Sequence, residues 1–206
     1  MPTEFRLNAN DGRDVTPEII DFVGLDRIAA GRYSKLLLLQ IYGGAKSGHQ
    51  NSAKIIREIE ALEGYEPASL SKPPAQFNYP PLKGLWHKHY LQDELASFAM
   101  NVEHGLKKYG IPVFKRRCLE ARKGNEKFLS PADIPIIVND VLSGNWGRLA
   151  QNHQLTGEWI IFSKYQDKNY YLCLGSHDKA THEEIRREID AICCKEFPFI
   201  KKQLET

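Results

Sequence analysis

Apolar residues recur at intervals of three and four positions in several segments of the chain, which is the spacing of an amphipathic α-helix. The first such segment, residues 17–23, follows Thr16, whose hydroxyl can cap free amides, and precedes Gly24, which ends the helix. A second helix is predicted to start after a cap at Asn51 or Ser52. The clearest apolar stripe belongs to a third helix, predicted from about Tyr90, and is formed by Leu91, Leu95, Phe98, Val102 and Leu106.

The segments between these helices are less regular. Residues 25–42 form a mostly apolar element whose later half fits a helix or an inner strand, and its leucines favour the helix. A flexible loop is predicted at Gly43–His49, where Lys46 and Ser47 could bind an anion, although the glycine that a Walker motif requires before its lysine is absent. Residues 65–83 contain five prolines and are predicted to form an extended strap, or else a simple linker.

A β-hairpin is predicted near the C-terminus. Aromatic and β-branched runs at 158–163 and 169–174 flank a polar turn, as is typical of two paired strands. Upstream, Ile111–Phe114 is interpreted as a short strand. A short helix over residues 130–142 is expected to end at Ser143–Asn145, which break the helical pattern.

The last helix is predicted to start at a capping box, Thr181–Glu184. Its buried face is predicted to carry Ile185, Ile189, Ile192 and Cys193. The elements together indicate an α+β fold: a helix-rich single domain with a small antiparallel sheet, its hairpin at about 158–175, packed by amphipathic helices. We divide the chain into an N-terminal helical part (1–64), a proline-rich strap (65–83) and an α+β part (84–206), expected to form one compact unit.

The composition is that of an ordinary globular protein, with 42% apolar residues, 26% charged residues and a net charge of +2 over 206 residues. The first residues do not have a signal-peptide pattern and the longest apolar run, Leu36–Leu39, is too short to span a bilayer, so we expect a cytoplasmic protein without membrane contact. The cysteines lack the spacing of a disulfide framework and are expected to be reduced.

Candidate chemistry concentrates in Trp86–Tyr90, which follows the strap. Histidine can give and take a proton near neutral pH, because its unperturbed pKa is about 6.5. On a strand, His87 and His89 would share a face, whereas in a helix they would diverge by about 200°. If the next helix already begins near Trp86, His87 joins the apolar stripe and His89 lies one turn before Asp93, which could fix its tautomer. We therefore interpret His89 as the stronger catalytic candidate and His87 as the more structural residue.

A second candidate acid or base, His177, lies where the hairpin leads into the last helix. Catalytic roles are predicted for His87, His89, His177, Lys88, Tyr90 and Asp93. Substrate binding, in part through cations that hold phosphates, is predicted for Lys83, Trp86, Lys115, Arg116, Arg117 and Ser176. The alternative in each case is structural: hydrogen-bonded buried histidines, a local turn at Ser176–Asp178 and a solvated basic face.

A zinc site is a weaker interpretation, because structural zinc ligands usually come in pairs two to four residues apart and adjacent cysteines rarely both bind. Its ligands would be Cys173, His177, His182, Cys193 and Cys194. We predict no metal site and no cofactor.

These residue types favour a metal-independent nuclease acting on RNA. Cleavage through the 2′-hydroxyl needs one group to take a proton, one to give it and a cation to stabilise the charged transition state. The combination of histidine, lysine and a small sheet backed by helices is similar to that of small toxin-type ribonucleases in chemistry and coarse architecture, which implies a toxin-like role. The alternative is a non-catalytic interaction or inhibitor module that binds a protein partner through Trp86–Tyr90 and the strap. A zinc-dependent enzyme or zinc-stabilised module is a third hypothesis.

Overall fold

A computed structural model of the protein describes residues 6–67, 69–92, 95–124 and 128–205. In this part of the chain the contacts define two compact units, Met1–Gln92 with Gly157–Thr206, and Asp93–Thr156. The three-part division predicted from the sequence stays a prediction. None of the helices in the described ranges combines the length and the apolar character that crossing a membrane requires.

The first unit contains an antiparallel sheet that, within the described residues, has four strands in the order β1-β2-β3-β4. The strands are β1 (Ala75–Gln76), β2 (Trp86–Tyr90), β3 (Glu158–Tyr165) and β4 (Lys168–Gly175). β3 and β4 form the predicted hairpin, and its turn residues Gln166 and Asp167 have φ of 50° and 59°, as a type I′ turn requires. The predicted α+β fold with a small antiparallel sheet is therefore confirmed.

Helices cover both faces of this sheet. Alternation along β3 sends Ile160 and Phe162 to one apolar core and Trp159 and Ile161 to another. The first core is closed by α1 (Thr16–Val23), α3 (Lys35–Lys46) and α4 (Ser52–Leu62), and a short α2 (Asp26–Ala29) precedes α3. The second core is closed by α9 (His182–Glu188), a π-helical turn (Ile189–Cys193), α10 (Cys194–Glu196) and α11 (Phe199–Leu204).

The N-terminal helices lie close to their predicted positions but differ from the prediction in their ends and caps. Thr16 is the first residue of α1 rather than its cap, because its hydroxyl accepts the N–H of Leu7 at 2.7 Å. The later half of the apolar element at residues 25–42, predicted as a helix or an inner strand, is helical and forms part of α3. Ser34 caps α3 by accepting the N–H of Leu37 at 3.0 Å. The loop predicted at Gly43–His49 was wrong in its first half: α3 continues through Lys46. Burial of the leucines of α3 outweighs the modest helix cost of two glycines.

The second unit is helical in its described residues. Its helices are α5 (Leu95–Tyr109), α6 (Pro112–Lys123), α7 (Asp133–Asn139) and α8 (Asn145–Gln151), with a π-helical turn (Asp140–Gly144) joining the last two. The predicted stripe along α5 is interrupted, since Leu95 is 81% exposed while Val102 is buried.

Two further sequence interpretations were wrong in this unit. The strand predicted at Ile111–Phe114 is the start of α6, where a proline fits the first helical turn. The helix break predicted at Ser143–Asn145 does not occur. The π-helical turn carries the chain on, and the Arg148 guanidinium bridges it by donating to the Asp140 carboxylate at 2.9 Å.

The C-terminal helix has the predicted buried face, with Ile185, Ile189 and Cys193 in the second core. Its predicted capping box does not form as such. The Thr181 hydroxyl donates to the carbonyl of Asp178, whose own carboxylate accepts the N–H of Ala180 and so caps the turn (Lys179–Thr181) before α9.

Candidate functional site

The segment with the two histidines is strand β2, not the entrance of a helix. It pairs with β3 along its whole length, with His87 opposite Ile161 and His89 opposite Trp159. The interpretation of a helix starting near Trp86 was therefore wrong. The strand alternative applies, and His87 and His89 lie on the same face of the sheet.

Aromatic contacts bring four histidine rings around the indole of Trp159 in the described part of the chain. Their ring centroids lie 4.8 Å (His87), 6.3 Å (His89), 4.5 Å (His177) and 5.4 Å (His182) from that of Trp159. The rings of His89 and His177 stack at 5.1 Å with an angle of 19° between their planes. The predicted partnership of the strand histidines with His177 thus has a geometric basis. We call Trp159 and the four histidines the histidine cluster.

The carbonyl of Gly157 holds two of these rings. It lies 2.8 Å from Nδ1 of His89 and 2.9 Å from Nε2 of His177. A carbonyl oxygen only accepts, so each contact places a hydrogen on the ring nitrogen; at His89 the 2.8 Å contact outweighs the longer approach of the Gly157 N–H to the same Nδ1, at 3.3 Å. In each neutral ring the lone pair is then on the other nitrogen, Nε2 of His89 and Nδ1 of His177, and that is the atom able to take a proton.

Burial keeps these histidines neutral. Desolvation, with smaller contributions from neighbouring histidines and from Lys72, lowers the pKa of His89 to about 3 and that of His87 to about 4. Desolvation and the charge of Lys72 also lower the pKa of His177, which is exposed at the surface. His89, by contrast, is 4% exposed. A ligand can therefore reach His177 directly, while His89 lies behind it.

Two nitrogens of the cluster lie buried without a hydrogen-bond partner among the described residues. They are Nδ1 of His87 and Nε1 of Trp159. The ring of Phe77, 4.5 Å from that of His87, closes this side of the cluster. An unpaired buried polar group costs about 1–3 kcal/mol, so a cluster with a purely structural role would be expected to satisfy both.

Three residues of this environment were not among the predicted site residues: His182, Lys72 and Phe77. His182 is the first residue of α9, and its Nε2 donates to the carbonyl of Ser176 at 3.3 Å. The sequence placed His182 only in a weak zinc hypothesis and a capping box. His182 follows His177 closely in the sequence, at the start of the next helix, and this short spacing was the signal that could have linked the two residues. Nothing in the sequence marks Lys72 or Phe77 within the proline-rich strap.

Lys88 and Tyr90 lie on the opposite face of β2 from the histidines. Lys88 is 4% exposed, and its ammonium lies 3.2 Å from the Glu58 carboxylate and donates to the carbonyl of Lys72 at 2.8 Å. Tyr90 is buried in the first core and accepts a hydrogen bond from the Gln92 amide. These positions fit structural roles better than the predicted catalytic ones. Asp93 lies outside the described residues.

The predicted binding residues are spread over different places. Ser176 lines a cleft of about 450 Å³. Lys83 and Trp86 line a second cleft of about 410 Å³, where the ammonium of Lys164 lies 3.9 Å from the Trp86 ring centroid. That ammonium occupies one face of the indole, so stacking of a base on this face is blocked. The cations at 115–117 lie on α6 in the second unit.

The cation predicted at position 117 differs from its neighbours. The Arg117 guanidinium lies 3.1 Å from the carboxylate of Asp133 and 3.2 Å from that of Glu120. Lys115 and Arg116 are exposed, with Arg116 at 4.0 Å from Glu120. A phosphate would therefore meet Lys115 and Arg116 more readily than Arg117.

In the part of the chain that the structure describes, no group of three or more histidine, cysteine, aspartate or glutamate side chains has a geometry that could hold a metal ion. Cys173 and Cys193 lie in the second core, and the thiol of Cys193 donates to the carbonyl of Leu172. Burial raises the pKa of both thiols. Both therefore stay protonated near neutral pH.

Comparisons with known proteins found no matching family model, no matching curated protein and no matching solved structure.

Proposed function

We propose that the protein is a metal-independent nuclease that cleaves RNA by histidine acid–base chemistry. The observation that carries the proposal is the stacking of His177 on His89, with ring centroids 5.1 Å apart and His87 5.4 Å from His89. An acid and a base must both reach one scissile group, and this cluster offers several imidazoles at one place.

His177 acts as the base in this proposal. Its exposed ring is held through Nε2 by the Gly157 carbonyl, and its lowered pKa leaves it neutral near pH 7. Nδ1 can then take the proton of the 2′-hydroxyl while the 2′-oxygen forms a bond to phosphorus. His89, stacked behind the ring, is a positioning residue.

His182 acts as the acid. Its ring centroid lies 5.4 Å from that of the Trp159 indole, and the residue is partly exposed. In its protonated form it gives a proton to the 5′-oxygen as the bond between phosphorus and that oxygen breaks. The positive charge of Lys72, which acts on three histidines of the cluster, stabilises the negative charge that develops on the phosphate.

The proposal is tested with purified wild type, His177→Gln and His182→Gln incubated with RNA and with DNA of the same sequence in EDTA. We expect the wild type to cleave RNA and to leave DNA intact, since DNA has no 2′-hydroxyl. Each variant should lower kcat by about 100-fold or more, the usual contribution of one acid or base. His49→Gln is the matched control, because His49 is exposed in the loop after α3.

Absence of RNA cleavage by folded wild type would overturn the proposal. So would cleavage that is unchanged in both cluster variants, since a contaminating nuclease would give that result. Cleavage of DNA at the same rate as RNA would rule out attack by the 2′-hydroxyl.

The alternative of an interaction or inhibitor module has less support. It places the binding surface in Trp86–Tyr90, but this segment is an inner strand in which Lys88, His89 and Tyr90 are buried. Little of the segment remains for a partner protein to contact.

A further inference from the structure

The side chain of Lys88 joins the strap to β2. Its ammonium donates to the carbonyl of Lys72 at 2.8 Å, to the hydroxyl of Ser69 at 2.9 Å and to the hydroxyl of Ser71. The Ser71 hydroxyl in turn donates to the backbone carbonyl of His89 at 2.8 Å. Lys88 and Ser71 are 4% and 2% exposed. We call Lys88 with its three acceptors on the strap the Lys88 clamp.

The Lys88 clamp is shielded from water. Hydrogen bonds from a charged donor contribute about 1.5–3 kcal/mol each, and burial removes the water that would compete for them. The carboxylate of Glu58 on α4 lies 3.2 Å from the ammonium and balances its charge. The clamp therefore holds the main chain of residues 69–72 against β2.

The clamp determines where the side chain of Lys72 begins. The carbonyl of Lys72 is one of the three acceptors, and the next two residues are Pro73 and Pro74. Proline fixes its own φ at about −65° and disfavours the helical region for the residue before it. The direction in which the Lys72 side chain leaves the backbone therefore has little freedom while the clamp is in place.

The charge of Lys72 acts on the histidine cluster. It lowers the pKa of His87, of His89 and of His177, in each case after the larger effect of desolvation. Lys88 lies on the opposite face of β2 from the strand histidines, because successive side chains of a strand alternate. An effect of Lys88 on the cluster therefore passes through the strap.

We propose that Lys88 is a positioning residue of the candidate site and that it acts by holding Lys72 beside the histidine cluster, which rests on the proposed nuclease function. The ammonium of Lys72 is then in place for the negative charge that develops on the phosphate. Without the clamp, the strap can move away from β2 and take this charge with it. Misplacing a positioned group by about 1 Å can lower a rate about 100-fold.

The first test follows the titration of the His177 ring by NMR and requires no cleavage. Among the described residues, the titratable or charged groups that face this ring are Lys72, His182 and the stacked His89. A nearby positive charge lowers the pKa of a histidine, so its removal raises that pKa. We therefore expect His177 to titrate at a higher pH in Lys72→Met than in the wild type. The same spectra record the titration of His182.

The double variant Lys88→Met with Glu58→Leu tests the clamp in the same way. It removes the ammonium and its counter-ion together, so no unpaired buried charge remains. We expect His177 to titrate at a higher pH here too, because Lys72 is no longer held. Ser71→Ala removes one acceptor of the clamp and should shift the titration in the same direction, which decides the question if the double variant does not fold.

Cleavage of RNA in EDTA gives the second test. Lys72→Met should lower kcat by about 100-fold, and the double variant should lower it by a similar factor. If the clamp acts through Lys72, combining all three substitutions should lower kcat little further than Lys72→Met alone, because the effects of coupled residues do not add. Lys168→Met, which removes an exposed cation at the start of β4, should keep the wild-type kcat and the wild-type titration of His177.

Full additivity of the two effects on kcat would overturn the inference. So would titration of His177 at the wild-type pH in Lys72→Met or in the clamp variants. In these cases cleavage of RNA by the wild type leaves the nuclease proposal standing. A higher titration pH in the variants, without any cleavage of RNA by the wild type, would overturn the nuclease proposal and leave Lys88 as the residue that positions Lys72.

Discussion

Burying a histidine beside a cation removes the charge of its ring near neutral pH, and this decides what His87 and His89 can do. Their pKa values of about 4 and about 3 leave them as neutral donors and acceptors that hold neighbouring rings in place. His177 has the same hydrogen-bonding carbonyl but an exposed ring. The cluster therefore combines a buried, neutral support with one ring that a substrate can reach.

These pKa values make stability depend on pH. Both histidines titrate near 6.5 when unfolded, so below that pH the unfolded chain binds more protons than the folded one. The free energy of unfolding should therefore fall as the pH drops from about 6.5 towards 3, with up to about 1.4 kcal/mol per pH unit from each histidine. Urea unfolding of wild type and His89→Gln at pH 7, 6, 5 and 4.5 measures the two slopes.

We expect the His89→Gln slope to be shallower than that of the wild type over this range. His49→Gln should keep the wild-type slope, because His49 is exposed. Parallel curves for wild type and His89→Gln would show that His89 does not resist protonation in the folded protein.

Lys88 gives the opposite case, a buried charge that is paired. Its side chain and that of Glu58 are 6% and 10% exposed. Lys88→Met should therefore lower the free energy of unfolding by about 3–5 kcal/mol, because it leaves a buried carboxylate without its cation. Adding Glu58→Leu should restore much of this loss, and urea unfolding of both variants tests it. A double variant no more stable than Lys88→Met would contradict the pairing.

At the scale of elements, regular periodicity was predictable from the sequence and long-range pairing was not. The hairpin and α4 were found because their apolar residues alternate at the strand and helix periods. β2 was considered only as an alternative to the start of a helix, because its alternation of aromatic, histidine and lysine residues gives no clear apolar face. Its strand conformation comes from pairing with β3, far along the chain.

The strand predicted from a short apolar run was wrong for a related reason. Ile111–Phe114 fits a strand or a helix equally well by its pattern, and the proline within it was compatible with a first helical turn. In the candidate site the sequence supplied His87, His89 and His177. The sequence did not show that Lys88 lies on the opposite face of β2 from the histidines. It also did not show that the ring of His182 lies close to theirs.

The approach of α5 to α8 depends on a glycine. A Cβ added at Gly105 would lie 2.7 Å from the Cβ of Asn145, a buried residue whose amide donates to the carbonyls of Gly110 and Val141. Gly105→Ala should therefore lower the free energy of unfolding by about 1–3 kcal/mol, the usual cost of overpacking.

Gly147 in α8 provides the matched control. A Cβ there would have nothing within 4 Å, so Gly147→Ala should stabilise the protein by about 0.5–1 kcal/mol through helix propensity alone. Urea unfolding of both variants measures the contrast. If the two substitutions shift stability in the same direction, steric contact at Gly105 is not the cause.

At the scale of the whole molecule, a net charge of +2 conceals a concentration of cations on α6. Lys115 and Arg116 are exposed there, while the first turn of α9 carries Glu183 and Glu184. A polyanion such as RNA responds to this local distribution rather than to the total, because each phosphate contact releases counterions at its own place. The apparent affinity for RNA should therefore depend on salt through α6.

Neutralising both cations, as Lys115→Gln with Arg116→Gln, should weaken RNA binding and reduce the slope of log K against log salt by about 1.4, since each single-strand phosphate contact contributes about 0.7. The matched control is Lys201→Gln with Lys202→Gln, an exposed basic pair on α11. Fluorescence anisotropy with labelled RNA, measured in EDTA on a His177→Gln background to prevent cleavage, gives both slopes. Equal slopes for the two double variants would show that α6 does not contact the phosphates, and the basic face would then be a solvated surface.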